Sequence, residues 1–129
     1  MNISKLFAIV LSALLLSACS YVDGVLREKI QPKIEFDLTR LDADGLYGPA
    51  GGKRSLSYEF CIPANVNTAR QVMYIDPTAI VYEESPGRLQ CDQQQYLVVG
   101  DTHQPNFLVT LENLAELPYV TKIQEAFFE

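Results

Sequence analysis

Cysteine and histidine are the side chains best suited to nucleophilic or metal chemistry, and their spacing in this sequence limits what they can do. The chain has three cysteines, Cys19, Cys61 and Cys91, and one histidine, His103. A structural zinc site takes four such ligands, usually including a closely spaced pair of cysteines. No such pair exists here, so the sequence predicts no metal site, and no motif for another cofactor is present.

The residues before Cys19 differ in character from the rest of the chain. A single cation, Lys5, precedes an apolar run from Leu6 to Leu16. This pattern is typical of an export signal. The run is short for a bilayer-spanning helix, which needs about 20 residues. It ends in four residues that resemble the lipobox of bacterial lipoprotein precursors, Leu16-Ser17-Ala18-Cys19.

This resemblance implies a lipid-anchored protein of the cell envelope. It implies a diacylglycerol thioether on Cys19, cleavage between Ala18 and Cys19, and a third acyl chain on the new amino terminus. Two acyl chains already suffice for stable anchoring in a membrane. In such lipoproteins Ser20, in place of an aspartate, favours the outer membrane, facing the periplasm. An ordinary secretory signal followed by a chance cysteine is the alternative.

The predicted organisation is a signal peptide over 1–18, a lipidated N-terminus and tether over 19–33, and a single globular domain over 34–129. The sequence has 10 Lys and Arg against 16 Asp and Glu, a net charge of −6. Loss of Lys5 with the signal peptide makes the mature chain one unit more negative. Because nucleic acids attract basic surfaces, we expect no nucleic-acid partner.

Cys61 and Cys91 are the two thiols that remain once Cys19 is lipidated. In an exported protein they most simply form one disulfide with each other. Closing a loop of this length would stabilise the fold by roughly 3–4 kcal/mol. A reactive or metal-binding pair of thiols is the alternative.

Alternating apolar residues predict several strands. Residues 34–38 and 56–62 alternate in this way, and the second run places Cys61 on the face opposite Phe60. A turn at 85–88 is expected to join strands over 79–83 and 88–91 into a hairpin, which would put Cys91 on a strand. A further strand is predicted over 96–99, and residues 72–75 form another short apolar run.

The last thirty residues change to a helical period. The spacing predicts a helix over 106–117, with Asn106 as its N-cap. Residues 119–129 suit either a helix or a closing strand, and their β-branched and aromatic residues favour the strand. We expect Phe127 and Phe128 to be packed. The predicted fold is therefore α+β, a small single domain with an antiparallel sheet of about five strands, one or two helices and one disulfide.

The glycine-rich segment 42–54 is predicted to be a loop. Arg54 follows Lys53 where a P-loop needs Ser or Thr, and Lys53 occupies the position where a calcium loop needs Glu. Tyr47 is the one aromatic residue expected to be exposed. With Lys53 and Arg54 it makes residues 45–55 the candidate contact loop, and a mobile loop without a partner is the alternative.

No catalytic arrangement is predicted. A Ser/His/Asp site would have to include His103, which lies in a polar turn with no nucleophile implied nearby. We therefore expect a non-enzymatic envelope lipoprotein, anchored to the membrane through Cys19, that binds or helps to assemble an envelope protein partner. A small periplasmic inhibitor or ligand-binding module is the alternative.

The lipid anchor leads to the first prediction. Cys19→Ser should abolish both lipidation and membrane retention, because the thioether has no other sulfur to form on at the cleavage site. Labelling cells with a radioactive fatty acid measures this, and Cys91→Ser, which leaves the lipobox intact, should still be labelled. Label in the Cys19→Ser protein would exclude the lipoprotein interpretation.

Overall fold

The computed structural model describes Ile3 and residues 31–128. The predictions for the signal peptide, the lipid attachment at Cys19 and most of the tether lie outside the described residues. Within residues 31–128 there are two α-helices, α1 (Val66–Ile75) and α2 (Phe107–Glu116), and two short 3-10 helices (Gln31–Lys33 and Leu38–Arg40). The strands are β1 (Leu46–Tyr47), β2 (Arg54–Ser55), β3 (Ser57–Pro63), β4 (Ile80–Tyr82), β5 (Gln95–Asp101) and β6 (Gln124–Glu125).

Four of these strands form one antiparallel sheet in the order β4-β5-β3-β6. The chain runs β3-α1-β4-β5-α2-β6, so two β-α-β units interleave in the split β-α-β arrangement. β3 and β5 pair over seven residues, with Phe60 opposite Val98 at the centre. β1 and β2 form a separate two-stranded ribbon. The α+β class, the antiparallel sheet and the disulfide predicted from the sequence are confirmed.

Strand β3 separates two apolar regions. Tyr58, Phe60 and Ile62 are fully buried on the face of the sheet that packs against the helices, which we call the helix face. Cys61 lies on the opposite face, as predicted from the alternation, together with Glu59. There Cys61 joins a second, smaller cluster. We call this side the disulfide face.

Helix α1 was not predicted. It begins at Asn65, whose side-chain oxygen accepts hydrogen bonds from the backbone N–H groups of Asn67 and Thr68, as an N-cap does. It ends before Pro77, because the residue preceding a proline is disfavoured in helical conformation. Ala69 and Val72 are its buried residues.

Helix α2 confirms the predicted helix over 106–117. Asn106 is the N-cap residue, as predicted, but it adopts the left-handed conformation (φ 55°) and makes no side-chain capping bond. At the other end Lys33 Nζ donates a hydrogen bond to the carbonyl of Ala115 at 2.7 Å. A cation at this position complements the partial negative charge of the helix C-terminus.

The predicted strand over 34–38 was wrong. Ile34 makes only an isolated parallel bridge to Ile123. After it the Asp37 carboxylate accepts hydrogen bonds from the backbone N–H and the hydroxyl of Thr39. This local capping turns the chain into a 3-10 helix instead of an extended strand.

The predicted hairpin between 79–83 and 88–91 was also wrong. β4 pairs with β5, with Val81 opposite Val98. The intervening residues 83–94 form a loop, in which Gly87 has a positive φ of 61° and the backbone N–H of Cys91 donates to the carbonyl of Pro86 at 2.7 Å. Cys91 therefore lies in a loop and not on a strand.

The C-terminal segment forms the closing strand β6, as favoured, and this strand pairs with β3. Val120, Ile123 and Ala126 are buried, which confirms the packing of this part. Phe127 and Phe128 are 57% and 69% exposed. The expectation that both rings pack was wrong, because the chain leaves the sheet after Ala126.

This contrast gives a stability prediction. Ile123→Ala should lower the free energy of unfolding by about 2–5 kcal/mol, since Ile123 is fully buried and truncation leaves a cavity. Phe128→Ala should change it by less than about 0.5 kcal/mol, as for other exposed positions. Urea unfolding of the two variants measures both values. Equal losses would mean that the Phe128 ring is packed after all.

Candidate functional site

The candidate contact loop forms the β1–β2 ribbon, and its aromatic residue lies close to two arginines. The guanidinium of Arg40 lies 4.8 Å from the centre of the Tyr47 ring, and that of Arg54 lies 5.6 Å from it. Tyr47 is half-buried and packs against the core. The prediction that Tyr47 is the one exposed aromatic residue was therefore wrong. Tyr74, at 89%, and Phe128 are far more exposed than Tyr47.

The third residue of that loop, Lys53, is engaged within the ribbon. Its Nζ donates to Asp42 Oδ2 at 2.6 Å. This hydrogen bond holds the pKa of the Asp42 carboxyl below its ordinary value. The other oxygen of Asp42 accepts the backbone N–H groups of Asp44 and Leu46. Asp42 therefore stabilises the turn through its own hydrogen bonds. Separately, no group of acidic, cysteine or histidine side chains within residues 31–128 could hold a metal ion.

Close packing attaches the ribbon to the main sheet. The buried Thr102 hydroxyl donates to the carbonyl of Gly45 at 2.6 Å and accepts the backbone N–H of Leu56 at 3.0 Å. Gly45 has a φ of 73°, and a Cβ there would overlap the Thr102 carbonyl. Only glycine fits this contact. The predicted contact loop is thus bound to the main sheet at its first residue, Gly45.

A buried polar cluster was missed by the sequence analysis. The fully buried Asp76 accepts hydrogen bonds from the Tyr58 hydroxyl at 2.6 Å, the Thr78 hydroxyl at 2.6 Å and the Gln104 amide at 3.0 Å. Burial raises the pKa of Tyr58, and the neighbouring Asp76 carboxylate adds to the effect. An added Cβ at Gly100 would overlap Asp76 and the Tyr58 ring. This cluster joins the end of α1 to the sheet and to the start of α2.

His103 is exposed in the predicted polar turn between β5 and α2. Its backbone N–H donates to Asp101 Oδ1 at 2.8 Å, while its Nδ1 lies 3.3 Å from the carbonyl oxygen of Asp44. The Ser55 hydroxyl donates to Asp101 Oδ2 at 2.9 Å. The imidazole does not lie between the serine and the aspartate, so these residues do not form a Ser/His/Asp arrangement.

The loop over 83–94 is fastened to the disulfide face at two points. Cys61 and Cys91 form the predicted disulfide, with Cα atoms 5.6 Å apart. Nearby, Glu59 Oε1 accepts the backbone N–H of Leu89 at 3.1 Å and the Gln124 amide at 2.8 Å. These contacts hold the loop against the sheet and bury most of Glu59.

Beside this loop lie two exposed phenylalanines. The Arg88 guanidinium lies 5.4 Å from the centre of the Phe127 ring, and Phe128, the next residue in the sequence, is also exposed. We call Arg88, Phe127 and Phe128 the aromatic corner. Its sequence signal is the pair of phenylalanines directly after the buried Ala126. The sequence analysis interpreted this pair as residues that pack into the core.

Comparison with known proteins identifies no relative: no protein-family model, no curated protein and no solved structure matches the chain. Among the described residues, no helix combines the length and the apolar character that crossing a membrane requires.

The fastened loop gives a prediction about the disulfide. Replacing both cysteines, Cys61→Ser with Cys91→Ser, should lower the free energy of unfolding by about 2–5 kcal/mol. Exchange of the backbone amides of Leu89 and Cys91 should accelerate, while the amides of β3 and β5 stay protected. Hydrogen exchange monitored by NMR measures this. Unchanged exchange at Leu89 would mean that the bond from Glu59 alone holds the loop.

Proposed function

We propose that the chain is a lipid-anchored protein of the cell envelope that acts without catalysis, by binding another envelope protein through the aromatic corner. The observation that carries this proposal is the exposure of Phe127 and Phe128, two consecutive residues, with the ring of Phe127 beside the guanidinium of Arg88. Aromatic residues and arginine are the groups that dominate the energy of protein interfaces.

Burial of these rings would supply binding energy. Covering a phenylalanine side chain contributes about 1.5–3 kcal/mol, and both rings are more than half exposed. The neighbouring loop is already fixed by the disulfide and by Glu59. Less ordering is then needed on binding, which reduces its entropic cost.

The lipobox supports the anchor in this proposal. A protein held to the membrane by acyl chains on Cys19 meets a partner in the same membrane at high local concentration, so a modest surface suffices for binding. The outer membrane, facing the periplasm, is the proposed location because Ser20 follows Cys19.

The arrangement of polar groups supports binding over catalysis. Asp76, Glu59 and Asp101 are buried or partly buried carboxylates. Each of them accepts hydrogen bonds from other groups of the same domain. A catalytic acid or base must instead reach a substrate with its proton or lone pair.

A second candidate function is a periplasmic inhibitor. It is favoured by one observation, the loop over 83–94, which the disulfide fastens while Glu83, Glu84 and Pro86 remain exposed. A rigid exposed loop is how many inhibitors meet their targets. Inhibition of an envelope hydrolase that is lost on Cys61→Ser with Cys91→Ser would support this function.

The binding function can be tested with the full-length protein in its own envelope membranes. The double variant Phe127→Ala with Phe128→Ala should reduce capture of a crosslinked partner at least about tenfold, because truncating the residues that anchor an interface removes about 1 kcal/mol or more each. Leu108→Ala is the matched control, because Leu108 is also an exposed apolar residue (46%) but lies on α2. Undiminished capture by the double variant would exclude the aromatic corner as the binding surface.

A further inference from the structure

The outer side of helix α1 carries apolar residues that do not pack into the core formed by residues 31–128. Val66 is 59% exposed, Met73 44% and Tyr74 89%, and Arg70 is exposed between them. Residues four apart lie on the same side of a helix. Val66, Arg70 and Tyr74 therefore form a line about 12 Å long at 1.5 Å per residue, with Met73 beside it. We call these four residues the α1 stripe.

The α1 stripe faces away from the core. The residues of the helix that pack inward are Ala69 and Val72, which are buried, and Ile75, which is half-buried. A surface helix ordinarily presents polar residues on its outer side. Here the outer side carries valine, methionine and tyrosine around a single arginine. Tyrosine, methionine and arginine are enriched in protein interfaces.

We propose that the α1 stripe is a docking surface for a different protein, one that presents an apolar surface with a carboxylate opposite Arg70. This inference rests on the proposed binding function and assigns to it a second surface. The stripe lies on the helix side of the sheet, whereas Arg88 of the aromatic corner belongs to the loop on the disulfide face.

The charge of the stripe determines the chemistry of its partner. Arg70 is the only charged residue of α1, and none of the ion pairs among residues 31–128 involves it. Apolar side chains precede and follow it along the line. A carboxylate that docks here would be shielded from water by Val66, Met73 and Tyr74, and an ion pair so shielded is stronger than one in open solvent.

The same charge argues against two other occupants. In a symmetric pair of copies, each using its α1 stripe, the two Arg70 guanidiniums would face one another, and the helix has no carboxylate to offset their repulsion. An anionic lipid surface would attract Arg70, but the mature chain, one unit more negative than the −6 of the full sequence, would weaken that attraction even while the acyl chains hold it at the membrane.

A zero-length crosslink tests for the carboxylate directly. Arg70→Lys keeps the positive charge and introduces an amine, which a water-soluble carbodiimide joins to a carboxylate only where the two are in contact. The reaction is carried out on the full-length Arg70→Lys protein in its native envelope membranes. Lys53, which lies 2.6 Å from Asp42, should form an internal amide and serves as the positive control in the same sample.

The expected result is an adduct in which residue 70 is linked to Asp or Glu of a different protein, identified by mass spectrometry of the crosslinked peptides. Adding Tyr74→Ala should reduce this adduct at least about tenfold, because an exposed interface tyrosine contributes much of the binding energy. Tyr82→Ala, which removes another exposed tyrosine on strand β4, should leave it unchanged.

Other outcomes would overturn the inference. A residue-70 adduct with a second copy of this chain would make the stripe a self-association surface, and an adduct with a lipid carboxylate would make it a membrane contact. Absence of any adduct while Lys53 reacts would show that nothing acidic docks there. If capture still depends on Phe127 and Phe128 in that case, only this inference fails and the proposed function stands.

Discussion

The burial of both faces of strand β3 is the constraint on which the rest of the structure depends. Its helix face carries Tyr58, Phe60 and Ile62, which α1 and α2 cover. Its other face carries Glu59 and Cys61, whereas both α-helices among residues 31–128 pack on the helix face. The loop over 83–94 supplies the missing cover through the disulfide and the bond to Glu59. A strand covered by helices on one face needs such a cover on the other, because a domain of this size has little apolar surface to leave in water.

Two buried carboxylates hold the elements around this strand in register. A buried carboxylate is destabilising unless hydrogen bonds replace its lost hydration. Asp76 gains them from Tyr58, Thr78 and Gln104, whose positions thereby become fixed relative to one another. Glu59 does the same for the loop and strand β6 on the disulfide face. These polar groups do not drive folding; they determine which arrangement of the apolar elements is adopted, because alternative arrangements would leave a carboxylate unsatisfied.

Much of the architecture could be predicted from the sequence where the signal is local. Strand β3 and helix α2 were found because their buried residues recur at the period of their own backbone. Helix α1 was missed because Val66, Met73 and Tyr74 are apolar on the outer side, which erases the helical period and leaves a run that resembles a strand. The partner of β4 was missed because pairing with β5 is a long-range choice that the turn at 85–88 does not reveal. The site residues divide in the same way. The disulfide could be predicted from the expected oxidising compartment and the number of cysteines. The exposure of Phe127 could not be predicted, because it depends on where the chain leaves the sheet.

The pairing of residue 34 with residue 123 has a mechanical consequence. The backbone N–H of Glu35 donates to the carbonyl of Ile123 at 2.8 Å, and that of Ile123 donates to Lys33 at 2.7 Å. The described chain thus begins beside the segment that leads, four residues later, to Phe127. A protein tethered through its N-terminus and pulled at Phe127 would carry the tension across these two hydrogen bonds. Because β6 lies between Ile123 and Phe127 and pairs with β3, part of this load would also pass to β3. β5 lies on the other side of β3 and would not be loaded directly.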